Sequence, residues 1–484
     1  MNINGIIAEY NPFHNGHKYQ LAESRRRTGA DYTIVVMSGN FVQRGAPALV
    51  PKTVRTEMAL QCGADLVLEL PTLYASASSE YFAAGAVALL DKLAVVTHLC
   101  FGSECGDITA LRQVAAFLAA EPAEYRMSLK CLLKQGFSYP DARAKALLAA
   151  SRETGGKQHL FLAESADAGT ELFPFTGHSA DTSTGQLPFS DDSGNTCTKQ
   201  LLFWEDSAYV SRAKPPFRLP LPENSPALLS SPNNILAIDY IKEIIRRKSI
   251  MIPFTIKREG SGYHDTLLNA VPKSPSPVSA LAIRQALQKG QSCSEMYCYM
   301  PEEALKILEA HLIENRTVYT ADFSGILYYK LLTERAQGYE SYLDVSPDLS
   351  NRIRNGLNLF TDFESYCDLL KTKAFTHTRI SRCLLHILLN IRKEDMMSGQ
   401  AMDNVPYARV LGFRRSAEPL LQAIKANSAV PLLTKPADAC KKLPPEAERL
   451  FQQDILASEI YKGVAYAKTS KPAPNEFSTP LIIL

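Results

Sequence analysis

The sequence predicts an α/β protein: a Rossmann-like, doubly wound parallel sheet followed by a C-terminal, mainly helical domain. Three observations predict it. Short apolar runs alternate with amphipathic segments through the first hundred residues, and strand–helix alternation of this kind buries parallel strands on both faces. The residues with unusual chemistry fall just after the apolar runs, where such sheets bind ligands beyond their carboxyl ends. From about residue 291 onward the apolar period becomes 3.6, the period of an α-helix with one buried face.

Taken in order, "INGIIAEY" reads as a first strand, and residues 16 to 27 as a helix stopped by Gly29. "YTIVVMSG" is a second strand. "TVRTEMALQCG" is a helix closed by Gly63, and "ADLVLELP" a third strand. "SEYFAAGAVALLDKL" is helical, "VVTHLCFGSE" is a strand, and residues 108 to 152 are helical again. Composition then shifts. Residues 155 to 229 are rich in Ser, Thr, Gly and Asp without sustained period, which is the composition of a partly disordered insertion. "SPNNILAIDYIKEIIRR" is a helix with Ser and Pro at its start, followed by the strand "SIMIPFTIKRE". Helical period then runs through "EEALKILEAHL", "YCDLLKTKAFTHTRISRCLLHILLNIRK" and "AEPLLQAIKA", and from about 428 the chain turns Pro-rich and strand-like. The expected division is therefore 1–290 and 291–484.

Composition bounds the function classes. The 484 residues are 46% hydrophobic and 21% charged, with net charge +2. A polyanion partner must therefore meet a local basic face, not a globally basic protein. Ten cysteines show neither a C-x-x-C pair nor metal-finger spacing, as expected of reduced thiols in a cytoplasmic protein without a protein-held metal. No run approaches the ~18 apolar residues of a membrane span, and the opening residues do not read as a secretion signal.

The chemistry concentrates at "NPFHNGH". His14 and His17 stand three residues apart, at the join between the first strand and a helix. A helix start favours anions through its dipole and its backbone N–H groups, and Gly16 allows close approach. Two imidazoles about one turn apart add donors that can stabilise a pentavalent phosphorus and departing pyrophosphate without a covalent step. His14 and His17 are thus the candidate catalytic residues. A structural reading, in which they cap the helix, stands beside this one.

"HNGH" resembles the H-x-G-H motif of the nucleotidylyltransferase superfamily, and "SPVSALAIRQAL" resembles that superfamily's late Ser-[Ser/Thr/Ala]-x-x-Ile-Arg element, with Ser279 as N-cap and Arg284 one turn on. Together, "AEYNPFHNGH", "VMSGNFVQRGAPA", "ADLVLELP", "FGSE", "PNNILAIDY" and "YHD" resemble one family, the bacterial tRNA(Met) cytidine acetate ligases. The likeness covers nearly all of the first 290 residues except the insertion, and continues more loosely at "LLKTKAFTHTRI" and "PYARVLGF".

The resemblance implies an HxGH-type fold and a ligase that uses ATP to make acetyl-adenylate and acetylates N4 of the wobble cytidine of elongator tRNA(Met). It implies ATP contacts from Ile7, Ala8, Glu9, Tyr10, Asn11, Pro12, Phe13, His14, Asn15, Gly16, His17, Lys18, Tyr19 and Gln20, and from Gly102, Asn233 and Arg258. Acetate and tRNA would be the other substrates, with Mg²⁺ bridging phosphate oxygens. Basic residues of the helical half, notably Lys371, Lys373, Arg379 and Arg382, are candidate contacts to the tRNA backbone. Plain readings remain for each: Gly102 as a turn, Asn233 or Asn234 as a helix cap, Arg258 paired with Glu259, and the lysines and arginines as a solvated face. Gln43, Arg44, Lys52 and Arg55 divide evenly between phosphate or RNA contact and a solvated basic loop. Two rival functions remain at this level: an adenylyltransferase acting on a small phosphorylated cofactor precursor, and a nucleotide- or RNA-binding protein without turnover. Intact His14, Gly16 and His17 weigh against the second, and the large helical half against the first.

Overall fold

The computed structural model describes residues 1–152, 225–258, 278–314, 316–471 and 474–484. Its strands, in chain order, are β1 (Ile3–Ala8), β2 (Tyr32–Ser38), β3 (Phe41–Val42), β4 (Ala46–Pro47), β5 (Leu66–Leu70), β6 (His98–Ser103), β7 (Ile252–Lys257), β8 (Ala408–Phe413), β9 (Leu432–Leu433) and β10 (Ile482–Ile483). The main sheet runs β10-β8-β5-β2-β1-β6-β7, with β9 beside β8, while β3 and β4 make a separate antiparallel ribbon. The five strands from β5 to β7 are all parallel. These are the five strands that the alternation of the sequence predicts.

Side chains alternate across a strand, so Ile34 and Val36 of β2 enter one core while Val35 and Met37 enter the other. The helices α1 (Asn15–Thr28) and α2 (Lys52–Gln61) cover the second face with Leu21, Met58 and Leu60. The helices Ser79–Lys92, Ile108–Ala120 and Pro232–Arg247 cover the first with Phe82, Leu111 and Ile241. Both faces of the sheet are therefore dry, and polar chemistry is confined to the strand ends.

The C-terminal half corrects three expectations. "PYARVLGF" contains β8, which pairs antiparallel to β5 and extends the sheet. The run 366–393 is two helices, Phe363–Leu370 and His377–Leu388. The break comes where Thr376 caps the second helix by accepting the Arg379 N–H (3.4 Å). The last stretch is not mainly strand, because it contains the 23-residue helix Pro445–Ala467. Proline at a helix's first position lacks only an N–H that would have no helical partner anyway. Residues on both sides of 290 share one sheet, and Asn15 bonds across that point, its Nδ2 donating to the Cys298 carbonyl (2.9 Å).

Of the 155–229 stretch, residues 225–229 are described and belong to the helix Ser225–Ser230. The remainder, and the "YHD" segment, lie outside the described residues. Among the described residues no disulfide forms, and no helix is long and apolar enough to cross a membrane.

Candidate active site

The two histidines build their own helix start. His14 is the N-cap of α1. Its Nδ1 accepts the Gly16 N–H (3.1 Å), while its own N–H donates to His17 Nδ1 (3.2 Å). A backbone N–H can only donate, so each Nδ1 is an acceptor, and a neutral ring then carries its proton on Nε2. Burial, with Arg258 and Arg284 nearby, holds the His14 ring down to about 3. Burial, then His14 and Arg258, keeps His17 well below its ordinary value. The rings stack with centroids 3.7 Å apart, an arrangement that two imidazolium cations would oppose. The pair therefore presents two neutral Nε2–H donors.

One expectation fails here. The first N–H groups of α1 are already taken: Asn15 donates to the Tyr299 carbonyl (3.0 Å), Gly16 to His14 Nδ1, and His17 to the His14 carbonyl (2.9 Å). Backbone N–H groups at this helix start do not stand open for a phosphate. The donors facing the cavity are side chains.

That cavity, of about 240 Å³, opens at the carboxyl ends of β1 and β6. Ile7, Ala8, Glu9, Tyr10 and Asn11 line it from the end of β1, and His14, His17 and Gln20 line it from α1. Gly102, Asn233 and Arg258 complete the predicted residues found there. Tyr10 turns the chain at φ 48°, an αL conformation that costs a non-glycine residue roughly 1–3 kcal/mol. Gly102 lets the Arg258 side chain lie close, since a Cβ there would stand 3.3 Å from Arg258 Cγ.

Six predicted residues are not in the lining. Pro12 and Phe13 are buried, Phe13 within the core beneath α1. Asn15 donates to the Cys298 and Tyr299 carbonyls, and the Gly16 N–H to the His14 ring. Lys18 is ion-paired with Glu303 (2.8 Å), and Tyr19 is exposed.

The "FGSE" and "PNNIL" segments clasp each other. The Glu104 carboxylate accepts the Asn233 N–H (3.1 Å), Asn233 Nδ2 (2.7 Å) and the Asn234 N–H (2.8 Å). In return, Asn234 Oδ1 accepts the N–H groups of Glu104 (3.0 Å) and Cys105 (3.2 Å). Asn234 is thus a buried strut, and Asn233 is the asparagine that lines the cavity.

Sequence reasoning missed an apolar wall of Phe82, Phe101, Leu236 and Tyr240. The spacing 233–236–240 would have indicated one helix face. Arg284, read from the late motif, also lines the cavity and donates to the Asn11 carbonyl (2.5 Å). The described residues gather no cluster of His, Cys, Asp and Glu able to hold a metal.

Of the four polar residues left undecided, Gln43 and Arg44 line the cavity. Lys52 and Arg55 are neither solvated nor open to phosphate. Lys52 is 2% exposed and lies 2.7 Å from Glu69, 2.6 Å from Glu476 and 2.9 Å from Ser458. Arg409 pairs with the same two carboxylates (3.0 and 2.6 Å), and Lys462 with Glu476 (2.6 Å). Arg55 spends its guanidinium on the carbonyls of Glu9, Ser38, Gly39 and Val50. Among the proposed RNA contacts, Lys371 and Lys373 are exposed. Arg379 lies over the Phe375 ring, and Arg382 is half-buried 3.7 Å from Asp344.

Comparison with known proteins places the chain in a family. The model of the family described as HIGH Nucleotidyl Transferase matches residues 1–475. The tRNA(Met) cytidine acetate ligase of Acetivibrio thermocellus is 34% identical over 488 residues, covering all of both chains. That of Clostridium kluyveri is 36% identical, covering 100% of this chain and 99% of its own. The crystal structure of Thermotoga maritima TmcAL superposes over the whole of both chains with a TM-score of 0.80 at 28% identity. A second form of that protein, bound with alpha-thio ATP, gives 0.79 at 27%. A chain matched at both levels over its full length belongs to the HIGH nucleotidyl transferases and, among them, to the tRNA(Met) cytidine acetate ligase family.

Proposed function

We propose that this protein activates acetate with ATP as acetyl-adenylate and then acetylates N4 of the wobble cytidine of elongator tRNA(Met), releasing AMP and pyrophosphate. The observation that carries the reading is the pair of neutral, Nε2–H-bearing imidazoles of His14 and His17, set in one cavity with Arg258 and Arg284. An acetate oxygen bonds the α-phosphorus while the bond to pyrophosphate breaks. His14 and His17 donate to the phosphate oxygens as charge builds, and the two arginines supply positive charge. The amine of cytosine then bonds the acyl carbon, AMP leaves with the electron pair, and the surplus amine proton passes to water.

The residues present fit Mg²⁺ as a companion of the nucleotide. Glu9 is the one carboxylate among the described residues of the lining, and its Oε1 already accepts the Gln43 N–H (2.9 Å). The ion would be held chiefly by phosphate oxygens, where it neutralises charge. Of residues 7–20, the eight that line the cavity, together with Gly102, Asn233 and Arg258, then serve ATP, with 1–290 carrying the nucleotide chemistry. Residues 291–484 present the tRNA, with Lys371 and Lys373 on its phosphates. An anticodon loop suits this division because its bases are unpaired and readable, and such an enzyme works in the cytoplasm.

Acetate-dependent exchange of pyrophosphate into ATP, run beside transfer of radiolabelled acetate to tRNA(Met), tests the reading. Both activities are expected. Exchange without any acetate requirement would favour adenylyl transfer to another acceptor, and absence of both would leave a binding protein.

A further inference from the structure

The ribbon of β3 and β4 joins the cavity to the basic helix of the C-terminal half. Its residues Val42, Gln43, Arg44 and Ala46 line the cavity, and the Glu9 carboxylate holds the Gln43 N–H. Gly45, at the tip, does not line the cavity. Its N–H closes the turn on the Val42 carbonyl (2.9 Å), and its φ is +76°. On its other side stands the helix His377–Leu388: a Cβ on Gly45 would lie 2.4 Å from the Arg382 nitrogen and 2.6 Å from the Ser381 carbonyl carbon. Ser381, 6% exposed, donates its Oγ hydrogen to the Gly45 carbonyl (2.8 Å). This is backbone against backbone, with a side-chain latch and no long flexible side chain to take up slack.

The same helix carries Arg379 and Arg382 in its first two turns and follows directly on the loop of Lys371 and Lys373. An RNA phosphate held there is therefore held at a fixed distance from Gln43 and Arg44. Transfer from an acyl-adenylate gains most of its rate from such alignment of the two reacting atoms, and an error of about 1 Å can cost roughly a hundredfold.

We infer that Gly45 and Ser381 are positioning residues for the second half-reaction, fixing the acceptor base beside Gln43 and Arg44 at the acyl-adenylate. The inference rests on the proposed acetate ligase activity. Neither residue lines the cavity proposed to take ATP, so loss of the Ser381 latch should leave the first half-reaction unaffected.

The test uses the full-length chain, a tRNA(Met) transcript and radiolabelled acetate. Ser381→Ala is expected to lower kcat for transfer about tenfold, the worth of one buried hydrogen bond. The KM for tRNA and the acetate-dependent pyrophosphate exchange should stay within about twofold. Gly45→Ala, which displaces the ribbon carrying the cavity-lining Gln43 and Arg44, should lower transfer by about a hundredfold and exchange by less. If Gly45→Ala does not fold, Ser381→Ala decides. Unchanged transfer in Ser381→Ala, or exchange and transfer falling together as from a merely structural defect, overturns the inference. Loss of acetate-dependent exchange in the wild-type chain would instead overturn the ligase reading, and this inference with it.

Discussion

The molecule contains two polar clusters that look alike in composition and differ in purpose. At the cavity, two neutral imidazoles and three arginines (Arg44, Arg258 and Arg284) stand with a single lining carboxylate among the described residues. Between β5, β8, α2 and the helix Pro445–Ala467, three cations (Lys52, Arg409 and Lys462) close directly on Glu69 and Glu476. The first cluster has excess positive character and space beside it. In the second, every cation closes directly on a buried carboxylate. A lysine near a nucleotide motif is thus no evidence of phosphate binding until its carboxylate partners are known. Lys52 and Arg55, four residues into the same segment, show why.

The comparison breaks most sharply at Glu476. Its substitution by Gln leaves Lys52, Arg409 and Lys462 with less buried negative charge, and breaking such a pair costs about 3–5 kcal/mol. The denaturation midpoint should fall accordingly, while pyrophosphate exchange per folded molecule stays constant. A loss of activity without loss of stability would mean the network serves the chemistry.

His14→Ala or His17→Ala should do the reverse. Each removes one transition-state donor and should lower exchange by on the order of a hundredfold or more. Stability should fall by only about 1 kcal/mol, the worth of a helix cap. Near-normal turnover in a folded double variant would remove both residues from the mechanism.

A smaller effect is expected at the RNA-facing loop. Lys371→Glu and Lys373→Glu should each flatten the slope of log tRNA affinity against log salt by somewhat under about one unit. ATP affinity should hardly move, because exposed charges are screened beyond roughly 8–10 Å. Arg379 and Arg382 are poorer probes, since one packs on Phe375 and the other faces Asp344. An unchanged salt slope would place the RNA elsewhere, with Arg44 the next residue to reverse.

The smallest effect should be that of pH on the free enzyme. With His14 held down to about 3, kcat/KM for ATP should show no inflection near 6.5, and one there would mean that the imidazoles act as cations. The stability signature has a definite sign. Below pH 6.5 the unfolded chain takes up a proton that buried His14 refuses, so stability falls progressively as pH drops toward about 3. Glu476 adds to the loss: burial alone would raise its carboxyl, but Lys52 and Arg409 hold it well below the ordinary range, so its contribution disappears as pH falls below about 4.5.

What the sequence made legible was local. The five parallel strands announce themselves by apolar runs, and the HNGH segment carries its cap, its glycine and both imidazoles within four residues. The missed features depend on distant partners. Lys52 meets Glu476, more than 400 positions away, and no pattern around Lys52 signals that burial. β8, as long as β1, sits among helical periods, so its place in the sheet is decided by pairing with β5. Asn233 and Asn234 are alike in the sequence, and only their places in the fold separate them: Glu104 takes the backbone N–H of both, while Asn233 alone lines the cavity.

The shared carboxylates also limit how the two halves could ever have been exchanged. Glu69 from the nucleotide-binding half and Glu476 from the far end hold the same two cations, Lys52 and Arg409. A recombination that brought in a foreign C-terminal half would strand buried charge on both sides of the crossover unless all four positions travelled together. The C-terminal half is therefore not a cassette to be grafted onto another HxGH enzyme, and the two halves must diversify as one inherited unit.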